Sequence, residues 1–376
     1  MKLLHIITSL GDGGAELTLF KICKYDTINN HVVISLKDQG KYYSLLNKLG
    51  VKVFCLNMSF FSIYKFFFLI NLIRSLKPDI VQTWLVHADF LGGIAARLAG
   101  VKNIIWNVRY SNIEISKSKL NTVLILKLLS ILSYSIPQLI IIVSKKAKKI
   151  YKIKGYDKKK LKFIPNGYDL SILKINKIQK INFHKKINLR KTIPIIGNVA
   201  RYDQQKDHLN LLHALSIIQS KKINFFCILV GSNIDQKNLN LSSEIKKLKL
   251  SNSVKLLGRK NNISEVMNGI DIHVLSSSYG EGFPNVLAES MACGTPCITT
   301  NVGDSALIVG KTGWVVPPKN KIKLAKAIEI ALSEIGTANW NKRCTKARLT
   351  IKKNFSINKM LKSYNDAWIR IYKKSN

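Results

Sequence analysis

Short, unbroken apolar runs alternate with longer amphipathic stretches along almost the whole chain, and this alternation restricts the fold more than any other feature. In the first half the runs are Lys2–Thr8, His31–Leu36, Lys52–Leu56, Ile80–Thr83, Asn103–Asn107, Leu139–Val143 and Lys162–Ile164. They are continuous where a half-exposed strand would alternate with polar residues, as expected when both faces of a sheet are covered. Between them, Ala15–Tyr25, Tyr42–Leu49, Ile63–Ser75 and Phe90–Ala99 carry helical spacing. This rhythm predicts a parallel sheet with helices on its faces.

The rhythm breaks once. After Asn166–Gly167, residues 174–192 are polar, lysine-rich and unpatterned, and are expected to form a linker. It then restarts, with strands at Ile193–Val199, Phe225–Val230, Val254–Leu257, Asp271–Ser276, Pro296–Thr299 and Gly313–Val316. Helices are expected at Asp207–Gln219, Ser242–Leu250, Ile263–Asn268, Asn285–Ala292 and Asn320–Ser333. The expected architecture is α/β, with two doubly wound, Rossmann-like domains facing each other across a cleft. The bounds are 1–175 for the first domain, 176–192 for the linker, 193–355 for the second, and 356–376 for a C-terminal helix crossing back to the first. No repeat at a period of roughly 20–50 residues is visible, which argues against a solenoid.

Charge narrows the partners. The 376 residues hold 60 Lys and Arg against 21 Asp and Glu, a net charge of +39. The excess is +9 over 1–144 (16 basic, 7 acidic), +15 over 145–191 (17 and 2) and +15 over 192–376 (27 and 12). Nucleic acid, an anionic membrane surface and phosphate-bearing ligands all suit such a chain, and compositional bias toward Lys, Asn and Ile needs no partner. Nucleic acid is the weakest reading: no helix-turn-helix, zinc or RNA-recognition signature appears, and the aromatics lie in apolar runs. The six cysteines show neither CxxC nor zinc spacing, so reduced thiols in a cytoplasmic protein are expected. The apolar start Met1–Ile7 is followed by Asp12 and Glu16, unlike a secretory signal. The longest uncharged stretch, Leu128–Ser144, has 17 residues and contains Pro137. It reads as a helix end, a break and a strand, and not as a membrane span. The aromatic stretch Phe60–Ile70 is apolar nearly all round, which fits either a core helix or an interfacial helix touching lipid. With the run Lys145–Lys146–Ala147–Lys148–Lys149 it points to docking on an anionic membrane.

The segment richest in chemistry is Ser276–Ser277–Ser278–Tyr279–Gly280–Glu281–Gly282–Phe283–Pro284–Asn285–Val286–Leu287–Ala288–Glu289. It joins an expected strand to an expected helix. Gly280 and Gly282 permit a tight turn, and Pro284 suits the first helical position. The N–H groups of Asn285, Val286 and Leu287 would then point outward at the carboxyl end of a strand, as a site for a diphosphate. The alternative is a plain strand–turn–helix joint with two surface glutamates.

Glu281 and Glu289, within EGFPNVLAESMACGTPCI, resemble the paired-glutamate motif of retaining GT-B glycosyltransferases of the family-4 type, glycosyltransferase group 1. The resemblance extends along nearly the whole chain. Gly11–Asp12–Gly13–Gly14–Ala15–Glu16 is similar to the family's N-terminal glycine loop, and Pro165–Asn166–Gly167–Tyr168–Asp169 to the segment closing its first domain. Asn198–Val199–Ala200–Arg201 with Lys206 is similar to its basic pair, and Leu257–Gly258–Arg259 to its next loop.

The resemblance implies a nucleotide sugar bound by the C-terminal domain and a lipid-linked saccharide acceptor entering from the first. Arg201 and Lys206 would hold the diphosphate and stabilise the leaving group, Glu289 would take the ribose hydroxyls, and Glu281 would face the transferred sugar. Gly282, Phe283, Pro284, Asn285, Val286 and Leu287 would line the nucleotide-sugar site, Arg259 would pass near the base, and Gly13 and Gly14 would meet phosphate or acceptor. No cofactor or metal is expected, in keeping with the lack of an Asp-x-Asp motif. The family's usual histidine after the fifth strand is replaced here by Trp106–Asn107–Val108–Arg109–Tyr110–Ser111, so Arg109 and His87 are the acceptor-side candidates. Arg109 cannot act as a base. The implied function is sugar transfer from a UDP- or GDP-sugar to a lipid-linked glycan of O-antigen, capsule or other bacterial surface polysaccharide, at the cytoplasmic face of the inner membrane. The nearer rivals are a GT-B sugar-nucleotide epimerase or a phosphorylase.

Overall fold

Seven apolar runs become seven parallel strands of one sheet: β1 (Lys2–Ile7), β2 (Asn30–Ser35), β3 (Lys52–Cys55), β4 (Ile80–Trp84), β5 (Ile104–Val108), β6 (Leu139–Ile142) and β7 (Leu161–Phe163). Their order is β3-β2-β1-β4-β5-β6-β7. Leu3 lies opposite His31 on one side and Ile80 on the other, which puts β1 inside the sheet. Chain direction across the sheet therefore reverses between β1 and β4, and loops leaving their carboxyl ends flank a natural ligand crevice. These coordinates are a computed structural model that describes residues 1–58, 63–109, 120–188 and 193–375. Phe60 and Phe61 of the aromatic stretch, Tyr110 and Ser111 of the loop after β5, and 189–192 of the expected linker lie outside the described residues.

Right-handed crossovers place α1 (Gly14–Tyr25) and α2 (Lys41–Lys48) on one face of this sheet. The other face carries α3 (Ile63–Leu76), α4 (Gly93–Leu98), α5 (Leu120–Leu132) and α6 (Lys145–Ile153). Leu69, Ala95, Ile125 and Ala147 of these four helices share one core with Leu4, Ile6 and Trp106 of the strands. This settles the aromatic helix. Leu69, Ile70, Ile73 and Leu76 are buried, while Ile63, Tyr64, Phe67 and Phe68 face outward.

The chain forms two compact units, Met1–Gly167 with Asn358–Asn376, and Tyr168–Ile357. In the second, β8 (Ile195–Val199), β9 (Phe226–Val230), β10 (Val254–Leu256), β11 (Ile272–Leu275), β12 (Cys297–Thr300) and β13 (Trp314–Val316) run parallel in the order β10-β9-β8-β11-β12-β13. The reversal falls between β8 and β11. The connecting helices include α8 (His208–Ser220), α9 (Leu239–Lys247), α10 (Ile263–Gly269), α11 (Asn285–Ala292), α12 (Ser305–Val309), α13 (Lys321–Glu334) and α14 (Ala338–Phe355).

The stretch 176–192 is not the bare linker expected of it. Lys177–Lys186 form helix α7, capped by the Asn176 side chain, which accepts from the Gln179 N–H at 3.1 Å. Phe183 packs so closely on α10 that a Cβ at Gly269 would fall 2.1 Å from its ring. The buried stripe is narrow, with Phe183 and Ile187 among lysines, so the periodicity was too weak to signal a helix. Helix α15 (Ile357–Ser375) lies almost wholly in the first unit, where the Trp368 indole donates to Gln82 Oε1 at 2.8 Å.

Candidate functional site

At the reversal point of the second sheet, Ser276 and Ser278 tie the loop after β11 to the loop after β8, and Ser277 between them holds a side chain of its own loop. Ser276 Oγ donates to the Lys206 carbonyl at 2.9 Å, Ser277 Oγ donates to Glu281 Oε1 at 2.6 Å, and the Ser278 N–H donates to the Gln205 carbonyl at 2.8 Å. Lys206 and Glu281 are 75 residues apart in sequence, yet Lys206 Nζ lies 2.5 Å from Glu281 Oε1. The two side chains are 15% and 7% exposed. An ammonium and a carboxylate this sheltered are poorly screened, so the pair orients both groups firmly.

Lys206 ends a short turn, Gln204–Lys206, opened by Asp203, whose Oδ1 accepts from the Gln205 N–H at 2.9 Å. Asp207 follows with φ +50° and caps α8 by accepting from the Asn210 N–H at 3.2 Å. Arg201 is more exposed, with its Nε 3.2 Å from Asp203 Oδ2. Burial favours a neutral Asp203, but the Gln205 N–H and Arg201 outweigh it and lower its pKa. Two histidines missed in the sequence flank Lys206. Burial, aided by Lys206, lowers His208 to about 4 and His273 to about 3, so both are neutral near pH 7. Neither histidine therefore adds to the positive charge of Arg201 and Lys206.

The glutamate loop is braced from a third side. Gly303 has φ +55°, and a Cβ there would sit 2.2 Å from the Glu281 carbonyl oxygen. The Asp304 N–H donates to the Gly282 carbonyl at 2.8 Å. Pro284 is the residue capping α11, one place before the helical position expected of it. Asn285 and Val286 open the helix, half-buried, with Asn285 Oδ1 accepting from the Tyr168 hydroxyl at 2.6 Å. The Leu287 N–H does not point outward as expected: it donates to the Pro284 carbonyl at 3.3 Å, and the side chain is fully buried. Phe283 is buried edge-on against Phe355 at 5.2 Å, a packing position. Glu289 is half-buried in the second turn of α11. Arg259 is exposed and follows Gly258, whose φ of +65° turns the chain after β10.

In the first unit, Gly13 caps α1 and Gly14 is its first residue. Arg109 is heavily engaged. Its guanidinium donates to Asn107 Oδ1 at 3.0 Å, Thr18 Oγ1 at 3.4 Å, the Tyr364 hydroxyl at 2.9 Å and Asn166 Oδ1, and it stacks 5.2 Å over Trp84. It thus ties the glycine-loop helix, the Pro165–Gly167 segment and α15 together. His87 is half-buried at the end of the β4 loop, and burial, with Lys37, lowers its pKa.

Among the described residues, His5, Cys23 and His31 form the cluster whose donor atoms lie close enough for a metal ion. The hydrogen bonds argue against that use. The Trp84 indole can only donate, and it donates to His5 Nδ1 at 3.2 Å. The neutral His5 proton must then sit on Nε2, 2.9 Å from His31 Nδ1, and His31 Nε2 donates to Asp26 Oδ2 at 3.2 Å. Burial would raise Asp26, but bonds from His31, Asn29 and the Ile28 N–H outweigh it and hold it at about 2. Both imidazole lone pairs are thus engaged in a buried relay that ends on Asp26, which leaves neither histidine an atom for a metal.

Two parallel doubly wound sheets, with a cation–carboxylate pair and a helix start at the reversal of the second, define a GT-B type of molecule. Family models match in tandem, Glycosyltransferase Family 4 over residues 13–172 and Glycosyl transferases group 1 over 179–347. The chain belongs to the group 1 glycosyltransferases. It is 30% identical over 255 residues to an Escherichia coli UDP-Gal:alpha-D-GlcNAc-diphosphoundecaprenol alpha-1,3-galactosyltransferase, a match covering 67% of this chain and 63% of that enzyme. It is 25% identical to a Campylobacter jejuni N,N'-diacetylbacillosaminyl-diphospho-undecaprenol alpha-1,3-N-acetylgalactosaminyltransferase, over 94% of this chain and 97% of the other. Among solved structures, Anabaena Alr3699/HepE in complex with UDP shares the fold at a TM-score of 0.87 and 21% identity, covering 98% and 99% of the two chains.

Proposed function

We propose that the chain transfers a sugar from a UDP- or GDP-sugar to a lipid-linked saccharide in bacterial surface-polysaccharide assembly, without a metal and with retention of the donor's anomeric configuration. The observation that carries this reading is the Lys206–Glu281 pair at the sheet reversal, 2.5 Å apart beside the start of α11. A departing nucleoside diphosphate needs its charge neutralised. Lys206, Arg201 and the start of α11 supply positive potential there. Glu281 Oε1 is held by Lys206 and Ser277, which leaves Oε2 to accept from a sugar hydroxyl, and Glu289 is assigned to the ribose hydroxyls. In the transfer, the bond from the anomeric carbon to the diphosphate oxygen breaks as the acceptor oxygen bonds on the same face. The acceptor proton passes to the departing phosphate. UDP-galactose carries an alpha bond, so the alpha product named for the E. coli relative corresponds to retention in that enzyme.

Both relatives are named for acceptors on diphospho-undecaprenol, and we assign a lipid-linked acceptor here, hence a reaction at a membrane surface, on its cytoplasmic side. Nucleic acid has no place in this reading. The test is turnover of a panel of UDP- and GDP-sugars with a polyprenyl-diphosphate-linked sugar, with and without chelator. Lys206→Ala and Glu289→Ala should each lose at least about a hundredfold in turnover with the fold intact. Near-normal turnover in both would end the site assignment, and donor conversion without acceptor would favour an epimerase.

A further inference from the structure

Each of the two sheet reversals presents a helix start, and the two starts differ in charge. Helix α11 has no acidic residue in its first turn. Helix α1 has Glu16 there, and that side chain is only 7% exposed. Its carboxylate lies over the loop that leaves β1: a Cβ at Gly13 would collide with Oε2, and one at Gly11 would lie 4.0 Å from Oε1. Gly13 itself is extended, with φ −123° and ψ 172°, a conformation open to any residue. Glycine is needed at 13 for room, and Glu16 fills the room.

Among the described residues, no hydrogen bond or ion pair reaches the Glu16 carboxylate. Cations of the surrounding elements are committed elsewhere. Lys21 donates to the Gly167 carbonyl at 3.1 Å, and Lys41 pairs with Asp12 at 2.9 Å. Arg109 reaches α1 but donates to Thr18 Oγ1, which itself donates to the Gly14 carbonyl at 2.8 Å. A carboxylate with so little solvent and no donor costs stability, and the positive end of α1 offsets only part of that cost. Such a group at the carboxyl end of β1, beside the sheet reversal, is kept for a ligand.

The sign of the charge excludes one ligand. An anion at the glycine loop would meet a carboxylate already seated on the positive end of the helix, so the loop is closed to phosphate. What fits is a neutral group with donors side by side. Two adjacent hydroxyls of a sugar ring supply them, because a carboxylate is an acceptor at both oxygens. We propose that Glu16 holds the acceptor saccharide by accepting from two neighbouring ring hydroxyls, which makes the glycine loop of the first unit a sugar site and not a phosphate site. It also selects, since a sugar carrying its own carboxylate on that edge is repelled. The inference rests on the saccharide acceptor proposed above, but its test reads binding as well as turnover. If Glu16-dependent saccharide binding holds while transfer fails, only the transfer reading falls.

The experiment compares wild type with Glu16→Gln and Gly13→Ala. Gln keeps the size and removes the charge, while the Ala methyl pushes the flexible Glu16 side chain off the loop in a backbone conformation that Ala accepts. Saturation-transfer NMR with the methyl glycosides of galactose, N-acetylglucosamine and glucuronic acid reads binding. Wild type should bind a neutral glycoside and not the glucuronide. Both variants should lose that binding at least about tenfold, and should raise KM for a polyprenyl-diphosphate-linked sugar by a similar factor, as loss of hydrogen bonds to a charged group predicts. Calorimetric affinity for UDP and GDP should stay within about twofold of wild type. The melting temperature of Glu16→Gln should be unchanged or a few degrees higher, because an unpaired sheltered charge is gone. Tighter nucleotide binding by Glu16→Gln, or its loss in Gly13→Ala, would place phosphate at the loop and overturn the proposal. So would a wild type that binds no neutral glycoside or binds the glucuronide equally, or full saccharide binding by both variants. A Glu16→Gln protein that melts several degrees lower would make Glu16 a helix-capping residue and would overturn it too.

Discussion

Replacing Glu281 by Gln gives the sharpest check on the site, because its two effects run in opposite directions. Gln keeps the size of the side chain and an oxygen for Ser277 and Lys206, but removes the charge from a partner 2.5 Å from Lys206 Nζ. A hydrogen bond to a charged group contributes about 1.5–3 kcal/mol and a neutral one about 0.5–1.5, so the ammonium loses roughly 1–1.5 kcal/mol of stabilisation. If Lys206 binds the diphosphate, that loss is of an interaction competing with the ligand. Glu281→Gln should then bind UDP or GDP about five- to tenfold more tightly than wild type. Without ligand, its melting temperature should fall by a few degrees, because a sheltered cation has lost its countercharge, and saturating nucleotide should restore it. Turnover should nevertheless fall about a hundredfold, because Glu281 is assigned to the sugar. Calorimetric titration of both proteins with UDP and GDP, thermal melts with and without nucleotide, and a turnover assay measure the three quantities. Unchanged or weaker nucleotide binding by a folded Glu281→Gln protein would refute the placement of Lys206 on the diphosphate.

Two further outcomes follow from the geometry. Ser277→Ala removes the 2.6 Å donor to Glu281 Oε1, so turnover should drop about tenfold with UDP affinity nearly unchanged, and Ser277→Thr should recover most of it; a matching loss of UDP affinity would show that Ser277 does more than orient Glu281. Asp89 is buried, accepts from Thr83 Oγ1 at 2.6 Å, and burial raises it from 3.8 to about 7. A raised folded value means its contribution to stability is full below about pH 4 and is lost as pH rises through about 7, by as much as about 4 kcal/mol. Urea unfolding across that range should show this loss in wild type and not in Asp89→Asn; parallel curves would show that Asp89 ionises freely.

The strand–helix series was legible because burial on both sheet faces writes itself into local composition. β5, expected at Asn103–Asn107, forms at Ile104–Val108, and α11 forms at Asn285–Ala292 as expected. A helix is not legible where the buried stripe is short, as in α7, nor its start where only a side-chain cap marks it, as in α9, which Asn238 caps so that it starts at Leu239 and not at Ser242. The glutamate loop was also visible, since glycines, a proline and two carboxylates mark it in one stretch. What its N–H groups bond to was not, and Leu287 turned inward because its side chain completes the core under α11.

The +39 charge, the two α/β series and the identity of the chemically equipped loops belong to the sequence, which encodes burial and turn chemistry residue by residue. Partnership does not. Lys206 meets Glu281, and Trp84 fixes the protons of His5 and His31, because the sheet orders put β8 beside β11 and β1 between β2 and β4. Strand order is settled by long-range packing, so hydrogen-bond partners tens of residues apart exist only once the sheets have closed. The same holds for the aromatic helix. Its sequence is apolar nearly all round, and only its seat on the sheet decides that Ile73 is core while Phe67 and Phe68 stay outside.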